Sequence, residues 1–405
     1  AITGYLTAED APALFNKMFS RLQKDYEAEY PGLVSLVLSS IHLSRRGLSE
    51  TELMEMWNIS QVVWSPLSLA LDELLVNQAG FLGFFHEYLG QAVASTFITY
   101  NSGLKIRTAI ANYFMERKAA SKRHLEEVPF QYAQLAQLTQ LQDFVVQVEH
   151  FRELNQHHRF DLIRYSRMIP NFDQIVMDNV THYIAKKQGE DGLQLVDAAA
   201  EFFKETGSFV HAKSAAENAI RLTRRLGQSA ANLAKRLETL GYIQRMMGTY
   251  SDAEKSYLEC LQLKEQLGVK DGAFATSANQ LAVLYRKMGK YTEAAKYYQQ
   301  ALDLRKQLFG EFHVDVAQSM NSFGCLHQDM GRYEEAEISF KEALRQRELL
   351  LGTEHPDVAM TLTNMGNLFL DCSRYTEAEP AYTRALAIYT KVYGQRNQHT
   401  SNTFS

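Results

Sequence analysis

The stretch SANQLAVLYRKMGKYTEAAKYYQQALDLRKQLFG, Ser277–Gly310, predicts two amphipathic helices joined by a short turn. In its first half, Leu281, Ala282 and Tyr285 recur at the intervals that place side chains on one face of a helix. Gly289 follows that helix where a left-handed cap is expected, because glycine adopts a positive φ without strain. The stretch therefore begins with one helix and a turn.

The second half of the stretch predicts a helix that opens at Thr292 or a neighbour. Ala294, Tyr298 and Ala301 fall at i, i+4 and i+7 on this helix. Small residues let two helices approach closely, and an aromatic ring fills the gap against the next unit. One such hairpin cannot bury its own apolar face, so its stability requires neighbours of the same kind.

Those neighbours are visible as a period of 41 or 42 residues along the second half of the chain. Four kinds of position share the period: a small residue on the first helix, a turn residue, an aromatic that opens the second helix, and an alanine that follows it. Agreement among four series indicates a repeat array. The series are Ala200, Gly241, Ala282, Gly324 and Gly366; Gly207, Gly248, Gly289, Gly331 and Ser373; Phe209, Tyr250, Tyr291, Tyr333 and Tyr375; and Ala212, Ala253, Ala294, Ala336 and Ala378.

The connectors between hairpins also repeat, as FGEFHVDVAQSMNSFG and LGTEHPDVAMTLTNMG. Pro356 fits the first position of a helix, and Asp357 then lies at the positive end of the helix dipole. His355 falls at or beside the cap. Metal binding is the alternative role for this histidine, but His313 and His355 are one repeat apart with no cysteine beside them. We therefore interpret them as spacer and cap residues.

The repeated unit resembles the tetratricopeptide repeat (TPR), whose small–aromatic–small signature matches Ala294, Tyr298 and Ala301. The longer period and the GxxHxDVA connector resemble the kinesin-light-chain subtype. The resemblance covers about half of the chain. It implies a right-handed α-solenoid of about five TPR units over residues 193–395, followed by the truncated start of a sixth repeat at 396–405.

The front half has a different pattern. Ser49 and Glu52 form a predicted capping box, and VVWSPLSLALDELLVNQ predicts a third helix before the aromatic ribbon GFLGFFH. Three helices followed by a small β-wing is the order of a winged-helix domain, which we predict over residues 30–120. Its third helix contains no Lys or Arg and carries Asp72 and Glu73. Because such a helix cannot contact phosphates favourably, we expect no nucleic-acid partner.

The segments SRRGLSETEL, FLGFFHEYLGQAV and RKAASKRHLEEVPFQYAQL resemble those that follow the nucleotide-binding core in STAND-class (NACHT-type) signalling NTPases. In that class a histidine at a strand-to-helix junction contacts the β-phosphate of ADP, and His86 matches its position. The neighbours Phe85 and Glu87 depart from the Met-His-Asp motif. The alternative, which we favour for this chain, is a satisfied histidine at a buried junction. The resemblance implies that residues 1–29 are a helix ending an upstream NTPase module and that 121–192 are a helical connector.

Composition excludes several classes of function. No run of 18 apolar residues occurs, so we expect no membrane span, and the first residues do not form a signal peptide. The absence of an initial Met suggests a piece of a longer protein. Cys260, Cys325 and Cys372 have no metal-ligand spacing, and no phosphate loop or other catalytic motif is present. We therefore expect a mainly α protein that is not an enzyme, holds no cofactor and lies in the cytoplasm.

The first helices of a repeat solenoid line a groove that can hold an extended peptide. Amides on these helices can bind a ligand backbone, and cations near the middle favour acidic segments of protein partners. The alternative function is a regulatory segment that couples nucleotide state to partner binding. A winged helix followed by such repeats resembles the nephrocystin type of STAND protein, which implies a primary cilium and partners such as inversin. The predicted groove residues are Lys235, Arg245, Asn279, Arg286, Lys287, Asn321, Gln328 and Asn367.

Overall fold

The computed structural model describes residues 11–117, 122–187, 189–268 and 270–393. It divides into two units, Ala1–Tyr183 and Ile184–Ser405. Each unit is built almost entirely of helices. The predicted mainly α fold is confirmed, whereas the predicted start of a sixth repeat, 396–405, lies outside the described residues.

The N-terminal unit contains ten helices and one β-hairpin in its described part, and an eleventh helix contains the border between the units. Helix α2 is central to the first part of this unit because it contacts α1, α5, α6 and strand β2 of the hairpin. The elements are α1 (Ala11–Tyr26), α2 (Leu33–Leu43), α3 (Glu50–Trp57), α4 (Gln61–Leu71), β1 (Leu75–Gln78), β2 (Phe81–Phe84), α5 (Glu87–Phe97), α6 (Tyr100–Glu116), α7 (His124–Gln134), α8 (Leu138–Val145), α9 (Val148–His157), α10 (Arg159–Ser166) and α11 (Phe172–Lys186).

The capping box is confirmed, since the Glu52 amide donates to Ser49 Oγ and the Ser49 amide donates to the Glu52 carboxylate. The third helix, however, is shorter than predicted. It ends at Leu71, and Leu75–Gln78 instead form β1, which pairs antiparallel with β2. The winged-helix interpretation of this unit stays a prediction.

A tight turn of two residues joins the two strands. Ala79 and Gly80 both have a positive φ, as a tight hairpin turn requires, and Asn77 Oδ1 accepts a hydrogen bond of 2.9 Å from the Gly80 amide. An apolar pair, Leu74 and Leu75, continues the apolar pattern of the helix before it. Because of this continuity, the spacing of apolar residues alone does not show where the helix ends and the strand begins.

The C-terminal unit is a row of five helical hairpins, which confirms the predicted number of repeats. Within each hairpin the two helices contact one another, and each second helix contacts the first helix of the next hairpin. The hairpins are α12 (Glu190–Thr206) with α13 (Phe209–Arg225), α14 (Ala230–Met246) with α15 (Tyr250–Gln266), α16 (Gly272–Lys287) with α17 (Tyr291–Phe309), α18 (Val314–Asp329) with α19 (Tyr333–Leu351), and α20 (Pro356–Asp371) with α21 (Tyr375–Tyr393). None of the helices in the described ranges is long and apolar enough to cross a membrane.

The connectors cap the first helices as predicted. His355 is the N-cap of α20, and its Nδ1 accepts a hydrogen bond of 3.1 Å from the Asp357 amide. His313 does the same at α18, at 3.2 Å from the Asp315 amide. Pro356 occupies the first turn of α20. The histidines therefore satisfy backbone donors that the first turn of a helix leaves without a partner.

In three of the five hairpins, a glycine on the first helix faces an aromatic ring on the second helix. A Cβ built on Gly324 would lie 2.5 Å from the Phe340 ring, and one on Gly366 would lie 2.7 Å from the Tyr382 ring. Real Cβ atoms do not approach this closely. The aromatic side chain of the second helix therefore occupies the space that a side chain on the first helix would need.

At the last three of the four junctions between hairpins, a buried cation on the second helix contacts the first helix of the next hairpin. Arg347 of α19 is fully buried, and its Nη1 donates to the Asp357 carbonyl at 2.9 Å and to Thr361 Oγ1 at 2.6 Å, both on α20. Arg305 of α17 and Lys264 of α15 are also buried and make equivalent contacts. The acceptors are the Asp315 carbonyl (3.1 Å) and Ser319 Oγ (2.7 Å) for Arg305, and the Ala273 carbonyl (2.9 Å) and Ser277 Oγ (2.6 Å) for Lys264.

The contact between Gly324 and Phe340 gives a first test. Gly324→Val should lower the free energy of unfolding by about 1–3 kcal/mol, because two methyl groups cannot be accommodated without moving the ring. Urea unfolding followed by circular dichroism measures the change. Glu335→Val, at an exposed position of α19, controls for the helix propensity of valine. Equal effects of the two variants would contradict close packing at Gly324.

The buried cation gives a second test. Arg347→Met should lower the free energy of unfolding by about 1–3 kcal/mol, because Thr361 and the Asp357 carbonyl lose a charged donor. The same unfolding measurement serves, and Arg345→Met is a matched control because Arg345 lies two residues away and is exposed. The loss should be non-additive with Thr361→Val. Additive losses, or an equal loss in the control, would show that Arg347 does not join the hairpins.

Candidate peptide-binding groove

The first helices of neighbouring hairpins touch one another, since α14 contacts α16, α16 contacts α18 and α18 contacts α20. Polar side chains bridge these helices. Arg286 donates to Asp329 at 3.0 Å, and Gln328 donates to Asp371 at 2.7 Å. The two bridges span the same sequence separation of 43 residues. Two predicted groove residues therefore belong to a row of side chains that runs from one first helix to the next.

Two predicted amides are less accessible than the sequence suggested. Asn279 and Asn321 are both buried. Asn321 Oδ1 accepts a hydrogen bond of 3.1 Å from Asn364 of the next repeat. Asn279 Oδ1 is buried and has no hydrogen-bond partner among the described residues. Because both side chains are buried, neither presents its amide to a ligand in this arrangement.

The cations and the last amide are more accessible. Lys235 and Lys287 are exposed, and neither forms an ion pair within the part of the chain that the structure describes. Arg245 is half-buried, with its guanidinium carbon 5.1 Å from the centroid of the Tyr242 ring. Asn367 is exposed, and its Oδ1 accepts a hydrogen bond of 2.5 Å from the Tyr382 hydroxyl. The surplus charge of this row is therefore positive.

A cavity that sequence analysis missed lies at the first hairpin, between α12, α13 and α14. Its volume is about 220 Å³. Three alanines, each no more than 3% exposed, lie at its base, and charged side chains surround them. Its signal in the sequence was the alanine at position 216, where the other four repeats have an aromatic residue. Its lining includes Ala200, Ala216, Ala219, Glu201, Lys235 and Arg236.

The charges around this cavity are partly neutralised. Arg236 donates to both carboxylate oxygens of Asp197, at 2.9 and 2.6 Å, and Lys204 pairs with Glu201. Lys235 adds a positive charge that no described carboxylate pairs with. The accessible side chains that line the cavity are therefore mainly polar or charged, with one surplus cation.

His86 of the N-terminal unit lies at a strand-to-helix junction, as predicted. It is the N-cap of α5, and its Nδ1 accepts a hydrogen bond of 3.2 Å from the Tyr88 amide. Its ring stacks on Tyr88 with 4.9 Å between centroids. The junction is exposed rather than buried, and Phe85 and Tyr88 beside it are 75% and 62% exposed. His86 also lines an apolar pocket of about 300 Å³.

The cysteines and histidines of the described ranges give no metal site, since no group of three or more His, Cys, Asp or Glu comes together there. Burial raises the pKa of the Cys260 thiol and of the Cys325 thiol. These thiols therefore remain protonated at neutral pH and pack as small apolar groups.

Comparison with known proteins supports the repeat assignment. The family model "Tetratricopeptide repeat" matches residues 274–348 and 326–391. A TPR repeat-containing protein of Dictyostelium discoideum is 27% identical over 165 residues, which are 40% of this chain and 10% of that protein. The chain therefore spans about a tenth of the length of this curated relative.

Two solved structures have backbones similar to that of this chain. BtubC (BKLC) from P. vanneervenii is 22% identical, with a TM-score of 0.44, over 55% of this chain and 90% of the other. A STAND protein with a tetratricopeptide repeat sensor from Pyrococcus horikoshii is 14% identical, with a TM-score of 0.36, over 98% of this chain and 65% of the other. On the family match, residues 274–391 are tetratricopeptide repeats, and the two hairpins before them continue the same helical-hairpin arrangement in one α-solenoid.

Proposed function

We propose that this chain is a non-enzymatic scaffold whose C-terminal unit binds a peptide segment of a partner protein along its first helices. The observation that carries the proposal is the continuous row of polar side chains on these helices. The Arg286–Asp329 and Gln328–Asp371 bridges hold the row in place. Side chains that are already fixed lose little conformational entropy when a ligand arrives.

The charge of the row supports an acidic segment as the ligand. Lys235 and Lys287 are exposed and form no ion pair in the described ranges, so a carboxylate can approach either without displacing an internal partner. Arg286 is already held by Asp329 and serves mainly to position the row. Exposed cations of this kind steer an acidic partner and raise its rate of association more than they raise affinity.

A second candidate is a regulatory role for the N-terminal unit, as in STAND-class NTPases. It is favoured by the exposed His86 ring beside an apolar pocket of about 300 Å³. The domain order proposed here, with a winged helix at 30–120 and a connector at 121–192, resembles nephrocystin-3. On that resemblance we propose a ciliary signalling assembly with partners such as inversin.

The groove proposal predicts the effect of reversing its two exposed cations. Lys235→Glu with Lys287→Glu should weaken binding of an acidic dodecapeptide pool roughly tenfold, because both attractions become repulsions. Fluorescence anisotropy at low and high salt measures the affinity, which should also fall with ionic strength in the parent chain.

Lys255→Glu with Lys296→Glu is the matched control, since it makes the same change of charge on the exposed faces of second helices. The control should bind like the parent chain. Equal loss in both variants, or no binding of the acidic pool to the parent, would contradict the proposed groove.

The regulatory candidate predicts ADP binding that depends on the His86 imidazole. His86→Asn retains an N-cap acceptor, whereas His86→Ala removes it and should lower the free energy of unfolding by about 0.5–2 kcal/mol. Both variants should weaken ADP binding in calorimetric titration of the full chain. If the parent binds no ADP, or if His86→Asn binds it like the parent, His86 is a cap and the regulatory candidate fails.

A further inference from the structure

The outward face of helix α4 in the N-terminal unit is apolar. Trp64, Leu67 and Leu71 are buried on one side of this helix. On the other side, Val62 and Leu69 are 80% and 79% exposed. No residue of α4 is charged, whereas the outward face of a surface helix normally carries charged side chains. This face therefore differs from an ordinary solvated helix face.

A groove of about 450 Å³ lies beside this face, between α1 and α4. Leu14, Met18 and Leu22 recur every four residues along α1 and form one wall of the groove. Ala70 and Leu74 lie on the opposite side. The groove and the face of α4 therefore form one surface with two rows of apolar side chains.

The charge of this surface is negative. Arg21 and Asp25 also line the groove, but they pair with one another at 3.4 Å and add no surplus charge. Glu73 lines the groove and follows Leu69 by four residues, so it also continues the exposed face of α4. Glu73 and its neighbour Asp72 are exposed, and neither has a cation partner among the described residues. One end of the surface therefore carries unpaired carboxylates.

A helix with basic residues fits this surface best. A helix packs into the groove between two others through apolar side chains that recur at i, i+4 and i+7. Val62 and Leu69 are two turns apart, which is about 10 Å and matches that spacing in the occupant. The cations Lys17 and Lys24 of α1 do not line the groove. A lysine or arginine of the occupant can therefore pair with Glu73 without displacing an internal partner.

We propose that the exposed face of α4 and the adjoining groove dock an amphipathic helix of a partner protein. The helix buries its apolar side against Val62, Leu69 and Met18 and pairs a cation with Glu73. This docking surface goes beyond the proposed peptide groove, because it belongs to the other unit and selects a ligand of the opposite charge. Its failure would leave the peptide groove untouched.

The probe is an octadecapeptide of leucine, alanine and lysine whose leucines recur at i, i+4, i+7 and i+11. One comparison peptide has glutamate in place of each lysine, and another has the same composition in scrambled order. The full chain should bind the lysine peptide roughly tenfold more tightly than either, because only that peptide offers both an apolar side and cations. Fluorescence anisotropy measures the three affinities.

Two substitutions at exposed positions test the apolar face and the charge separately. Leu69→Glu should weaken binding of the lysine peptide roughly tenfold, and Leu349→Glu should not, since Leu349 is 66% exposed on α19 of the other unit. Glu73→Lys should remove the preference for lysine over glutamate, whereas Glu335→Lys, at an exposed position of α19, should retain it. Circular dichroism checks that each variant is folded.

Methyl NMR of the methionine-labelled chain shows where the peptide lies. The Met18 signal, assigned with Met18→Leu, should shift on addition of the lysine peptide, because Met18 lines the groove. The signal of Met246, which is 45% exposed on α14, should not shift.

Three results would overturn the docking surface: equal binding of the lysine and scrambled peptides, parent-like binding by Leu69→Glu, or an unshifted Met18 signal. A parent dimer that Leu69→Glu dissociates in sedimentation would assign the face to a second copy of the chain and would overturn it as well.

Discussion

Buried cations determine how the last four hairpins of the solenoid are joined to one another. Arg347 and Arg305 are removed from water, and hydroxyl and carbonyl oxygens of the next first helix accept their hydrogen bonds. Burial lowers the pKa of both guanidinium groups. A buried charge that loses its partners costs several kcal/mol, so each cation accepts only one position of the following helix. The placement of the first helices, and with it the groove, depends on this contact.

Much of the repeat unit could be predicted because its signals are local. A small residue on one helix requires a ring on its partner, and Gly324 with Phe340 shows how little space separates them. The cap histidines follow from the same local logic, since His355 satisfies a donor two residues away. The period, the turn glycines and the cap residues together predict where each helix begins and ends. The small residues and rings then allow the two helices of a hairpin to pack in one arrangement.

The buried cations and the buried amide of Asn321 could not be predicted in this way. An arginine at position 347 reads as a solvent-facing residue of an amphipathic helix, and only the arrival of α20 buries it. Likewise the repeat pattern predicts a ligand-facing Asn321, whereas in the structure Asn321 is buried and Asn364 of the next first helix donates a hydrogen bond to it. In each case the outcome depends on the rotation of a helix against the next repeat. That rotation is a tertiary quantity that no local pattern contains.

The first hairpin differs from the others in the residues that pack its two helices together. Replacing a buried aromatic residue by alanine costs about 3–5 kcal/mol in a closed core, and Ala216 stands at a position where four repeats have such a residue. Ala200, Ala216 and Ala219 are nevertheless only 1–3% exposed, so neighbouring side chains already cover them. The first hairpin is therefore closed by small residues on both helices, whereas the later hairpins that have a glycine on the first helix are closed by a ring against that glycine. The common period thus fixes the hairpin but does not require the same packing in every repeat.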